Sequence, residues 1–400
     1  MPRTLDEQRT PIDESGPNSK GRLTLIVLFS SVVGTLLLMA PAVAGQLQEQ
    51  LGLTPSQTGD LFSAELGAMS LASIPALWWM KRLNTQKASI FFAAVFVVGN
   101  ISSAYIDQYG LLLATRFLTS LAGGSLMVLC MSLAAQADNR NRVYGLWVMG
   151  QLLFGAVGLA VLPHFFSSFG IGIVYWVLAV MMVFVLPLAR FLPKRAVVIE
   201  AARGQTRLNT GYALRATLGL LAVLAFYISL SGIWTFVSGV ASTSDIDAQT
   251  SSFVLSVATV LGIAGSAVAT VLGARPGTRT NLLVGYLAMA LSLGLLVDVP
   301  GLVRFTVAAL LFKFTWTFIL PYILATLSEL DRSGRLVNVA NIAIGGGFAL
   351  GPLMGGRLVE NTGGYGALIA VSTAGLLLSL AMILAAQPRN SSNLNCETAR

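Results

Sequence analysis

This sequence predicts an all-α polytopic membrane protein, with twelve transmembrane helices arranged as two six-helix pseudo-repeats. Three observations carry that prediction. Of 400 residues, 55% are hydrophobic and only 10% charged, with a mean hydropathy of +0.76, whereas a soluble domain carries about 25% charged residues. Apolar runs near the ~20 residues needed to cross a bilayer recur from end to end. Basic residues collect in every second loop between those runs. A lipid-facing β-barrel would instead show short alternating segments.

Residues 1–22 are polar and of mixed charge and read as a disordered cytoplasmic tail, with no apolar core for a cleavable signal. Six spans are then expected at 23–45, 58–80, 88–106, 110–134, 143–165 and 170–192, forming an N-terminal bundle over 23–192. The polar stretch 193–211, "PKRAVVIEAARGQTRLNTG", is a cytoplasmic linker. Six further spans, at 212–240, 250–273, 280–298, 301–326, 336–358 and 365–386, form a C-terminal bundle over 212–386, and 387–400 is a second tail.

Lys81, Arg82, Lys87, Arg140, Arg142, Arg190, Arg215, Arg275, Arg279, Arg332 and Arg335 fall in or beside alternate loops. Glu49, Asp107, Asp245, Asp247 and Asp298 occupy the opposite ones. By the positive-inside rule both termini are cytoplasmic, and the expected location is a bacterial inner membrane. The net charge of +8 is therefore a topology signal and no nucleic-acid surface. Cys130 lies in a span and Cys396 in the last tail, so no disulfide framework is expected. A lone histidine, His164, builds no metal site. No nucleophile cluster or phosphate-binding loop argues for an enzyme or a primary pump, and no cofactor is expected.

The halves echo each other. Asp138 and Arg142 in "ADNRNRV" match Asp331 and Arg335 in "LDRSGRL"; Gly155 matches Gly351, and Arg116 matches Lys313. All these pairs lie about 193–197 residues apart, as expected of a parallel repeat. Twelve spans as six plus six around a basic central loop resemble the major facilitator superfamily over about 22–387. "LLATRFLTSLAGG" is similar to that superfamily's R-x-x-x-G-x-G helix, with Ser120 and Ala122 where glycines are usual. "GFALGPLMGG" (347–356) fits its G-x-x-x-G-P-x-x-G-G pattern, which belongs to the fifth span of proton-coupled exporters but here lies in the eleventh. The fifth span itself, "QLLFGAVGLA", lacks the proline. The loop "PALWWMKRLNTQK" keeps only the basic residues of the superfamily's G-x-L-a-D-R-x-G-R-R.

The stretch "GGGFALGPLMGG" carries six glycines and a proline. Helices in lipid associate by close backbone approach over small residues. Gly347, Gly351 and Gly355 therefore predict a groove for a helix of the other half, with Pro352 bending the helix and Gly155 as its counterpart. Static packing is the plainer alternative.

Charges inside spans need a reason to be there. Arg116 in span four and Lys313 in span ten hold equivalent positions, and the resemblance implies that these spans line a central cavity. Two cations there would bind an anionic group between them; the alternative is that Arg116 pairs permanently with Glu65 of span two. Burial favours the neutral form of a carboxyl and a nearby cation the charged form, so Glu65 is the candidate proton-coupling residue. Tyr227 and Trp234 of span seven and Trp316 of span ten add the apolar and aromatic lining of a ligand pocket. Asp138, Arg142, Asp331 and Arg335 are candidates for a cytoplasmic gate.

The leading expectation is a secondary transporter of a small organic anion, such as an aromatic or amphipathic carboxylate, working by alternating access with protons. A proton-antiporting exporter of neutral or cationic compounds is the alternative, and a lipid-handling or non-transporting membrane protein the reading from another class. The expected partners are a small-molecule substrate, protons and the bilayer, with the chain as a monomer.

Overall fold

The structure, a computed structural model, describes residues 19–193, 210–331 and 335–387. The tails and most of the 193–211 linker lie outside the described residues, as does the Arg335 side chain.

Every expected span has a helix. Span one is Lys20–Leu51, span two is Pro55–Leu71 continued by Ser73–Arg82, and span three is Thr85–Ser103. Spans four to six are Tyr109–Ala134, Arg140–Val161 and Gly172–Val185. Spans seven to twelve are Thr210–Ser242, Ala248–Leu272, Thr278–Gly294, Leu302–Leu330, Arg335–Thr362 and Gly366–Ala386. Among the described residues, eleven stretches are helical, long and apolar enough to cross a membrane. The exception, span nine, has 17 residues, about 26 Å at 1.5 Å per residue, just under the ~30 Å hydrocarbon core.

Local chemistry sets the ends. Gly52 leaves span one in the left-handed region (φ 61°), a conformation that a Cβ disfavours. Two residues later Thr54 and Gln57 form a reciprocal capping box with Pro55 in the first turn, which starts span two. Asn84, Asn139 and Asp247 accept from the first free N–H groups of spans three, five and eight.

The halves meet through spans one, two and five on one side and seven, eight and eleven on the other. We call the two faces of the bundle the acidic end and the basic end, after their loops. At the acidic end, Arg357 of span eleven pairs with Asp60 of span two at 2.7 Å. The Ser56 N–H donates to Glu360 at 2.9 Å, and Ser256 of span eight donates to the Ala156 carbonyl of span five at 2.7 Å.

The glycines of span eleven divide between two neighbours, which corrects one expectation. A Cβ on Gly347 or Gly351 would strike Tyr227, Ile228 or Ser231 of span seven, and one on Gly355 would meet Phe236. That row therefore packs within its own half. Another small-residue face of the helix meets the other half: a Cβ on Gly345 would strike Ser70, one on Gly356 the Pro55 carbonyl, and one on Gly59 the Pro352 carbonyl. The run is so glycine-rich because it packs backbone-close on two sides at once. Gly155 repeats the first contact in the other half, where its Cβ would strike Leu38 of span one.

Candidate functional site

Two buried charged clusters occupy the middle of the bundle, one in each half. In the first, the Arg116 Nε–H of span four donates to Glu65 Oε1 of span two, and both side chains are at most 4% exposed. Arg116 Nη1 donates to Asn100 Oδ1 of span three at 2.9 Å. The Asn100 amide is oriented in turn by donating to the Phe96 carbonyl at 2.8 Å. The guanidinium also sits over the Tyr175 ring of span six, 4.7 Å from its centroid. A buried ion pair persists only when further hydrogen bonds compensate lost hydration. Here Asn100 and the Tyr175 ring supply that compensation. A small cavity borders the pair, lined by Val33, Leu36, Ser120 and Gly123 among others.

In the second half, Lys313 of span ten is 1% exposed. Its ammonium lies 3.8 Å from the Trp234 ring centroid and 4.1 Å from that of Trp316. Among the described residues, Lys313 Nζ has no hydrogen-bond partner. Its charge is met by two indole faces, an attraction of about 2 kcal/mol when desolvated. The cage extends outward. Phe312 stacks on Trp234 with rings 4° from parallel, Phe348 leans on Trp316, and Tyr227 meets Phe348 edge-on at 4.8 Å. Gly262 of span eight leaves room for the lysine stem.

Trp234 joins this cage to the other half. Its Nε1–H donates to the Leu37 carbonyl of span one at 3.1 Å. Pro41 lies four residues beyond Leu37 and has no N–H, so that carbonyl lacks its helical donor. The proline creates an acceptor, and the opposing half satisfies it.

The structure thus brings Glu65 and Arg116 together, and separately Lys313 with Trp234 and Trp316; Tyr227 joins the second group through Phe348. It places Arg116 in the ion-pair geometry set out as the alternative reading. Asp331 is buried and accepts from the Leu336 N–H at 2.9 Å, and Asp138 and Arg142 are exposed. Sequence reasoning missed Asn100, Tyr175 and the Asp60–Arg357 pair. A polar amide in the apolar run "VVGNISS" was a usable signal for Asn100; the Tyr175 ring carried none.

The sequence model of the Major Facilitator Superfamily matches residues 24–352. The chain belongs to this superfamily. It is 25% identical over 225 residues to the multidrug resistance protein MdtL of Klebsiella pneumoniae, across 52% of this chain and 56% of that one. It is 21% identical over 121 residues to an uncharacterized MFS-type transporter, YbcL, of Bacillus subtilis, across 30% of this chain and 31% of that one. The chain thus spans about a third to a half of the length of these curated relatives. Among solved structures, the nucleoside transporter NupG superposes with a TM-score of 0.65 at 15% identity, covering 92% of this chain and 97% of NupG. A point variant of NupG reaches a TM-score of 0.70 at 14% identity, covering 91% and 98%. At that identity the likeness shows the fold alone. The chain is a multi-pass membrane protein of a transporter superfamily, whose members bind small molecules within the membrane.

Proposed function

We propose that this superfamily member is a secondary transporter of a small organic anion carrying an aromatic or apolar body. It works as a monomer in a bacterial inner membrane, with both termini cytoplasmic and the acidic end outside. One observation carries the reading: a buried lysine ammonium, held between two indoles, with no acceptor among the described residues. An anionic group would supply the acceptor with a charge-assisted bond, and the Trp–Phe–Tyr lining suits an aromatic or apolar body. Glu65 and Arg116 form the proton-coupling unit. Protonating Glu65 would weaken its hold on Arg116 and free donors on the side facing the small cavity.

Alternating access then requires the contacts at the acidic end to part. In this conformation Asp60–Arg357 and Ser56–Glu360 join spans two and eleven at the acidic end, the outward face in this reading. The name of the MdtL relative favours a second reading, export of neutral or cationic compounds, in which the cage holds an aromatic or cationic ligand in place of the Lys313 ammonium.

The test is flux in proteoliposomes with organic anions, nucleosides and lipophilic cations, with and without a pH gradient. Anion accumulation that follows the proton gradient supports the anion reading. Proton-driven movement of lipophilic cations alone, with no anion flux, replaces it with the exporter.

A further inference from the structure

Spans five and six do not pack against each other along their length. They are held apart over span one, leaving a crevice of about 600 Å³ that opens sideways toward the bilayer. That volume falls within the roughly 300–1,000 Å³ of small-molecule sites. Leu153 and Val157 line one wall, Val174 and Val177 the other, and Thr35 and Met39 of span one form the floor.

The crevice has a polar rim at one end. Phe165 and Phe169 line it at the acidic end, with ring centroids 6.4 Å apart. The same turn exposes His164, Ser167 and Ser168. Exposed polar groups at the end of an apolar span lie at the level of the headgroups, outside the ~30 Å hydrocarbon core. The mouth continues into the exposed apolar surface, with Leu153 55% and Val157 53% exposed. An amphiphile with its head at that turn would place its tail in the crevice.

The internal repeat supplies a contrast. The equivalent crevice, between spans eleven and twelve on span seven, is about 180 Å³ and is lined by Ser229, Ser372 and Gly375. There Gly375 brings span twelve close against span seven, where a Cβ would strike Ser229. In the first half the glycine of span six, Gly172, meets Ala104 at the end of span three and not span one, and the gap stays open. The repeat alone therefore does not account for the large crevice; it belongs to this half's own residues.

We propose that this crevice is a lipid site, taking one acyl chain of a bilayer phospholipid inserted sideways from the acidic-end leaflet. The occupant follows from medium and shape. The mouth opens into hydrocarbon, so water is not its solvent, and the lining is almost wholly apolar. A single flexible chain fits, and the polar turn at the rim accommodates its headgroup. The site is independent of what the protein transports.

The experiment uses the full chain in proteoliposomes containing phosphatidylethanolamine with a diazirine midway along one acyl chain. Labelled peptides are mapped by mass spectrometry after photolysis. Labelling should concentrate on residues 153–181, several-fold above the other lipid-exposed spans. Filling the crevice with Val157→Trp, or separately Val177→Trp, should cut that labelling about tenfold. Val183→Trp, on an exposed position of span six outside the crevice, should leave it unchanged. Even labelling over all exposed spans of the parent protein would overturn the site without recourse to any variant. So would undiminished labelling of 153–181 in both filled variants.

Discussion

Among the described residues, Lys313 finds only aromatic faces to answer its charge. Truncating one member of a buried, hydrogen-bonded charge pair costs about 2–5 kcal/mol, and each 1.4 kcal/mol is about tenfold in affinity. Lys313→Met should therefore weaken binding of a transported anion by roughly 30-fold or more, read by titration calorimetry on folded protein. Unchanged affinity removes Lys313 from the site. Glu65→Gln should abolish accumulation driven by a pH gradient yet spare exchange at equal concentrations, and full pH-driven accumulation in that variant ends its coupling role. Because Arg116 is bonded to Glu65 in this structure, Arg116→Met alone strands a buried carboxylate. The double variant Glu65→Gln with Arg116→Met should then be more thermostable than Arg116→Met. At this scale the sequence was legible for the charges deep within spans, Glu65, Arg116 and Lys313, since a charge there is costly and so conspicuous, but not for the Asp60–Arg357 pair at the span ends. It was silent on Tyr175, because a ring beneath a guanidinium looks in sequence like any other buried aromatic.

Helix positions could be read from the sequence because they follow from apolar length, but their ends could not: span two, expected from 58, begins at Pro55, where Thr54 and Gln57 cap it. Which helix each glycine meets could not be read either, since a row such as Gly347–Gly351–Gly355 fits any neighbour. Span eleven has two such neighbours, and leucine substitutions should tell them apart. A side chain on Gly351 meets backbone atoms of span seven, and overpacking of this kind costs about 1–3 kcal/mol. Gly351→Leu should thus lower the thermal midpoint, measured by scanning fluorimetry in detergent. A side chain on Gly59 meets the Pro352 carbonyl across the two halves. Gly59→Leu should leave each half packed but hold the acidic end apart, raising the labelling of a cysteine probe placed between spans two and eleven. If Gly59→Leu lowers stability as Gly351→Leu does and leaves labelling unchanged, the division between packing and closing faces is wrong.

Across the whole molecule the two halves pack along spans one, two and five against seven, eight and eleven, and a few specific polar links join them. Trp234 and Leu37 tie span seven to span one in the interior, while Asp60–Arg357 and Ser56–Glu360 tie span two to span eleven at the acidic end. The links differ in strength for a physical reason. The Arg357 and Asp60 side chains are 50% and 27% exposed, and a pair so open to solvent contributes about 0.2–1 kcal/mol. The Trp234 bond is largely buried, and its loss leaves the carbonyl freed by Pro41 with no donor, at about 1–3 kcal/mol. Asp60→Asn should therefore shift the balance toward an open acidic end by at most about fivefold. Trp234→Phe keeps the ring over Lys313 but removes the donor, and should shift it further, by about five- to a hundredfold. Spin labels at the acidic ends of spans one and seven, with distances measured by double electron–electron resonance, read both populations. Reversing the charges, Asp60→Arg with Arg357→Asp, should restore the parent distribution. A larger opening from Asp60→Asn than from Trp234→Phe would mean that the exposed pair holds the halves together, and that the tryptophan serves only the cage.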